Sequence, residues 1–167
     1  MKNVLGCLIA LAFAAGPVAA QDAATTAAAP PPAHVFVKAA DIKYGDPPPV
    51  FAKGMRFSVI SGDPSKEGLY VVRIKMPAGY KIMPHFHPTD EHVTVLSGVF
   101  ALGMGDKLDA KTMTKFPAGG YALLPATMHH YAMAMTAVTI QVHGMGPFAL
   151  TYVNPEDDPS AAKPAAK

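Results

Sequence analysis

Cysteine is all but missing. Cys7 is the only one, and it lies in the apolar run at the start of the chain. The region that follows can form no disulfide and offers no thiol nucleophile or thiolate ligand. Charge is scarce as well: charged residues make up 16% of the 167, and the formal net charge is +2. Lysines and arginines are scattered, with no basic block and no aromatics interleaved with one. That balance argues against nucleic acid or an acidic membrane surface as a partner. There is no Gly-rich phosphate loop, no internal repeat and no Ser-His-Asp arrangement. Persuasive 3.6-residue periodicity is also missing, so long amphipathic helices are not expected.

Apolar residues and turn formers are abundant instead. Hydrophobic residues account for 50%, with 17 Pro and 14 Gly. The length suits one domain with a sizeable core, built from many short elements. Stability must come from that core, with a metal or a homodimer as further sources.

The first residues read as an export signal. Lys2 precedes an apolar run from Val4 to Ala15, which Gly16 and Pro17 break. Val18-Ala19-Ala20 then supplies the small residues of a cleavage site before Gln21. The run falls well short of the roughly 20 residues that cross a bilayer, so no membrane anchor is expected in the mature form. Val4-Leu5-Gly6-Cys7 looks like a lipoprotein box but has no apolar stretch ahead of it. The expectation is a signal peptide over 1–20 and a periplasmic or secreted protein. Residues 21–33, rich in Ala, Thr and Pro, read as a disordered linker, and 155–167 as a disordered tail. One domain is expected over 34–154.

Within that domain the punctuation is regular. "MRFSVISG", "LYVVRIKM", "EHVTVLSG", "VFALGMG", "YALLP", "HYAMAM", "AVTIQVHG" and "FALTYV" are short strand candidates separated by turn residues. Such runs at steady spacing indicate an all-β sandwich or barrel.

The chemistry concentrates in "GYKIMPHFHPTDEHVTVLSG", Gly79 to Gly98. Side chains two apart on a strand share a face, so His85 and His87 point one way and Phe86 the other. Glu91 opens the next strand and shares its face with Val93 and Val95, while His92 faces away. Two imidazoles on one face plus a carboxylate four residues later are the parts of a metal site. A hydrogen-bonded histidine cluster is the alternative. His129, His130 and His143 are candidates for a further ligand, and only one of the adjacent pair His129 and His130 can face inward.

These residues resemble the first motif of the cupin superfamily. Gly79, five residues, His85, Phe86, His87, three residues, Glu91, six residues and Gly98 match its spacing without a gap. The second motif is partial: Gly119, Pro125 and His130 fit, but Thr127 replaces a glycine and Ala134 an asparagine. The chain looks most like small exported bacterial cupins. The resemblance implies an all-β jelly-roll barrel of two antiparallel sheets. It also implies one divalent transition metal held inside by His85, His87, Glu91 and His130. Thr127 is expected to take an ordinary negative φ in a remodelled turn, because β-branched residues resist the left-handed region.

Three imidazoles and a carboxylate leave coordination positions open, and they suit Fe, Mn, Ni, Zn or Cu alike. Gln141, His143 and Tyr121 are candidates for orienting a small-molecule ligand beside the metal. Three functions compete. The first is an exported metalloenzyme acting on a small molecule by dioxygenase-like or Lewis-acid chemistry. The second is a non-catalytic module that binds or senses a small ligand. The third is a domain that the metal merely stabilises. Cupins cover all three, so the fold alone does not choose.

Overall fold

The computed structural model describes residues 34–161. The expected signal peptide and linker, 1–33, lie outside the described residues. Ten strands follow one another: β1 Arg56–Ser61, β2 Gly68–Met76, β3 Lys81–Phe86, β4 Glu91–Ser97, β5 Val99–Met104, β6 Thr114–Pro117, β7 Tyr121–Leu124, β8 His130–Ala134, β9 Val138–Gly146 and β10 Thr151–Tyr152. They form two five-stranded antiparallel sheets, ordered β1-β2-β9-β4-β7 and β10-β3-β8-β5-β6. Helix is confined to two short 3-10 turns among the described residues. This is the expected all-β jelly roll.

Period-two patterning explains the first sheet. Tyr70, Val72, Ile74 and Met76 of β2 are buried, as are Val138, Ile140 and Val142 of β9 and Val93 and Val95 of β4. Val72, Val142 and Val93 lie side by side across three strands. The second sheet answers with Ile82, Phe100, Leu102, Ala132 and Ala134, and the two inner faces share one apolar core. β6 was not legible in the sequence. "TKFP" is too short and polar to mark itself, and it becomes a strand by pairing with β5, Phe116 opposite Phe100.

A β-bulge in β3 decides which way its histidines point. Ile82 pairs with Ala132 and His85 with His130, so three steps on β3 oppose two on β8. The extra residue reverses the parity. Ile82 faces the core before the bulge, and His85 and His87 face it after. Pro84 sits in the irregularity, where a missing N–H costs the ladder nothing.

Two glycines of the first motif earn their positions by geometry. Gly79 and Gly98 both have positive φ, 82° and 76°. At Gly98 a Cβ would also strike the Ala137 carbonyl. Any side chain there would push β4 and β9 apart.

Thr127 corrects the expectation of an ordinary turn. Its φ is 64°, in the left-handed region that the family glycine would occupy. Hydrogen bonds hold it there: Thr127 N donates to the His87 carbonyl (2.8 Å), and Met128 N to the Pro125 carbonyl (3.1 Å). Ala126 N donates to Asp90 Oδ1 at 2.8 Å, and the Thr127 hydroxyl donates to the Ala126 carbonyl at 2.6 Å. The turn is thus fastened to the loop carrying His87, and remodelling it would break those ties. A β-branched residue held at positive φ is strained by about 1–3 kcal/mol. Thr127→Gly is therefore expected to stabilise the protein by about 1 kcal/mol, after the greater chain entropy of glycine is subtracted. Chemical denaturation checks this, and a loss of stability would refute the strain.

The expected tail is structured at its start. Pro155–Asp157 form a 3-10 turn, with the Asn154 side chain accepting from Glu156 N. Asn followed by Pro is a favoured way to begin such a turn.

Candidate metal centre

His85 and His130 are cross-strand partners on β3 and β8, with ring centroids 4.2 Å apart. His87 follows β3, its ring 5.0 Å from that of His85 and 5.4 Å from that of His130. One ring nitrogen from each lies within 4.8 Å of the others. All three residues are buried, at 3%, 5% and 2% exposure. Glu91 comes from the opposite sheet, at the start of β4. Its Oε2 lies 3.5 Å from His130 Nε2 and 3.7 Å from His87 Nε2.

Each ring is fixed by a backbone carbonyl. His85 Nδ1 bonds the Met83 carbonyl at 2.7 Å, His87 Nδ1 that of Ala149 at 2.8 Å, and His130 Nδ1 that of Met128 at 2.9 Å. A carbonyl only accepts, so each Nδ1 must carry the proton. In the neutral ring the Nε2 lone pair is then free and points inward. His87 Nε2 and His130 Nε2 are buried without any hydrogen-bond partner. Leaving a buried polar atom unsatisfied costs about 1–3 kcal/mol. A cation between the lone pairs and the Glu91 carboxylate would remove that cost, and an Nδ1–H bond to a carbonyl is the usual support of a metal-bound histidine. The residues present therefore fit a metal ion.

The electrostatics agree. Burial, aided by repulsion from His130 and His87, pushes His85 down to about 3. Burial alone would push the Glu91 carboxyl up, but positive charge on the His130, His87 and His85 rings, wherever a second proton sits on them, outweighs it and holds it below its ordinary value. Near neutrality the cluster thus offers a neutral His85 and an ionised Glu91, the forms that bind a metal.

The space beside these groups is small. A cavity of about 20 Å³ adjoins the three histidines and Glu91, walled otherwise by apolar side chains such as Phe51, Ile74, Val142 and Leu150. A second cavity of about 20 Å³ reaches Glu91 from the side of Phe57 and Phe148. The closing residues Phe51, Phe148 and Leu150 escape sequence reasoning, because each lies in a loop far from the motifs. The one signal is the Pro47-Pro48-Pro49 run, which stiffens the approach to Phe51.

Gln141, His143 and Tyr121 do not join the site, contrary to expectation. Ile140 and Val142 claim the inward positions of β9, so Gln141 and His143 lie on the outer face. There Gln141 accepts from Arg73 Nε at 3.1 Å. The His143 ring stacks on His92 at 4.8 Å, and Tyr121 Oη is hydrogen-bonded to His92 Nδ1 at 2.6 Å. His129 also turns outward, with its Nδ1 2.6 Å from Asp106 Oδ1 and its ring stacked on Phe86.

Fold and sequence together define a cupin, and comparison with known proteins narrows the class. Residues 32–149 match the family described as ChrR Cupin-like domain, and the chain belongs to that family. No curated protein matches it. Among solved structures, the polyketide cyclase RemF from Streptomyces resistomycificus superimposes with a TM-score of 0.63 at 17% identity, covering 77% of this chain and 91% of that one. A putative acetylacetone dioxygenase from Methylibium petroleiphilum PM1 gives 0.59 at 21% identity, covering 77% and 87%. An RmlC-like cupin from Shewanella frigidimarina gives 0.53 at 17%, covering 68% and 91%. At such identities these likenesses establish the shared fold, not a shared activity.

Proposed function

We propose that this protein is an exported metalloenzyme whose His85, His87, Glu91 and His130 hold one divalent transition metal that acts on a small molecule. The observation that carries the reading is the pair of buried, unpartnered Nε2 atoms of His87 and His130 facing the Glu91 carboxylate. When bound, such a metal supplies Lewis acidity or a redox couple at an open coordination position. The chain supplies the rest. The Met83, Ala149 and Met128 carbonyls hold the imidazoles in one tautomer and orientation. Glu91 lowers the charge of the centre, and the apolar wall excludes bulk water. Among the described residues the same wall holds no acid or base apart from the four proposed ligands, so proton transfer during a reaction would fall to Glu91 or to water.

The leader over 1–20 belongs to this proposal, placing metal uptake outside the cytoplasm, where zinc and copper compete well. Protein recovered from the periplasm of an expressing bacterium should begin at Gln21 and carry stoichiometric metal. Elemental analysis and amino-terminal sequencing check both. Metal-free protein that fails to take up any of Fe, Mn, Ni, Zn or Cu would overturn the metal reading. Retention of the leader in the cytoplasm would overturn export. Turnover screening with the metal found then separates catalysis from simple ligand binding.

A further inference from the structure

Phe51 borders three spaces at once. On its inner side lie the two small cavities that meet at Glu91. On its outer side lies a basin of about 630 Å³, lined also by Asp46, Pro47, Lys53, Met55 and Arg56. Phe51 is buried, 8% exposed, and of the residues lining the basin it is the one that also lines the inner cavities. Its backbone is clamped on both flanks. Tyr152 Oη donates to the Val50 carbonyl at 2.9 Å, and Tyr80 Oη to the Ala52 carbonyl at 2.6 Å. Phe51 N donates to the Pro48 carbonyl at 3.0 Å. The ring stacks on Phe148 at 6.2 Å and 25°, and Phe148 in turn packs on His87 at 5.4 Å. Two buried tyrosines and a proline run thus fix one phenyl ring above the centre.

We infer that Phe51 determines which ligands reach the metal centre, admitting molecules of two or three atoms and excluding those the size of an aromatic ring. The inference rests on the metal reading above and adds the class of ligand to it. The outer basin has ample room for a ring, and Phe51 is the residue that separates it from the inner cavities. The inner cavities are each about 20 Å³, room for a water or a molecule of two or three atoms and far too little for an aromatic ring. Among the described residues their walls offer a ligand no polar side chain besides the histidines and Glu91, so whatever enters must be held by the metal alone. Removing the phenyl ring would join the two inner cavities to each other and open them to the basin.

Two arms test this, using the full chain with Phe51→Ala and Phe51→Leu. In the metal-free arm, benzene binding is followed by ligand-observed NMR. The wild type should show none and Phe51→Ala should bind it. In the second arm, the cobalt(II)-loaded proteins are titrated with azide and with catechol, and the visible bands are read. Azide should perturb all three alike, while catechol should bind Phe51→Ala at least about tenfold more tightly than the wild type. Phe51→Leu should fall between them in both arms, and it carries the test if Phe51→Ala does not fold. Equal catechol affinity in wild type and variants, or benzene binding by the wild type, would overturn the inference. Failure of every form to take up cobalt would defeat the metal reading instead, and the benzene arm would still decide the role of Phe51.

Discussion

Replacing His130 by alanine is expected to empty the metal centre, while replacing its neighbour His129 leaves it filled. The two residues are adjacent in sequence and opposite in direction. His130 is 2% exposed, with Nδ1 on the Met128 carbonyl and Nε2 unpartnered beside Glu91. His129 lies outside the barrel, bonded to Asp106 and stacked on Phe86. Losing even a supporting contact to a metal-bound histidine weakens affinity by roughly 10–100-fold. Losing the ligand itself should exceed that, so His130→Ala should lower affinity by more than about a hundredfold. His85→Ala and His87→Ala should do the same. His129→Ala removes only an exposed pair, worth about 1 kcal/mol or less. Metal content after dialysis against a weak chelator reads the difference. A filled His130→Ala protein beside an empty His129→Ala one would reverse the assignment.

The part of the site that depends on local spacing is legible in the sequence. His85 and His87 are two apart, and Glu91 shares parity with Val93 and Val95, which are core residues. Nothing distant is needed to place the two histidines on a common face and Glu91 on the core face of β4. The strands are legible for the same reason wherever apolar and polar residues alternate, as in β2 and β9. What fails to show is whatever depends on contacts between distant segments. The bulge that turns His85 inward is visible only once β3 is laid against β8. β6 exists because β5 offers it an edge.

Gln141 and His143 illustrate a different failure. They alternate with Ile140 and Val142 along β9, and polarity alone suggests a place for them in the pocket. The inner face of a small barrel belongs to the larger apolar set, and β9 supplies that set from Val138, Ile140 and Val142. Polar residues of such a strand default to the outer face unless a ligand compensates their burial. His85, His87 and His130 are the exceptions, and their unpartnered nitrogens mark them as such. Thr127 misleads for the opposite reason. Propensity disfavours positive φ, and the hydrogen bonds to His87 and Asp90 override it.

Stripping the metal at neutral pH should lower the melting temperature by on the order of 10 °C. A ligand held at a thousand times its dissociation constant stabilises the folded state by about 4 kcal/mol. In a domain of this size each kcal/mol shifts the midpoint by roughly 2–8 °C. Acid should then distinguish the two forms further. In metal-free protein, burial and the other imidazoles depress His85 from 6.5 to about 3. The folded state therefore binds fewer protons than the unfolded chain between those values, and stability falls as pH falls through that window. Glu91, also depressed, acts in the same direction: the stability it contributes above 4.5 is lost as pH drops through its folded value. The His85 shift alone corresponds to on the order of 4 kcal/mol between pH 7 and pH 3. Metal-free protein should thus unfold progressively below about pH 6.5. Metal-loaded protein should hold until protons displace the ion, and then fall abruptly with release of metal. Thermal scans from pH 7 to pH 3, with and without chelator, measure both curves. A metal-free protein as stable at pH 4 as at pH 7 would show that the buried imidazole of His85 is not held neutral. Coincident curves with and without chelator would show that the folded state gains nothing from metal.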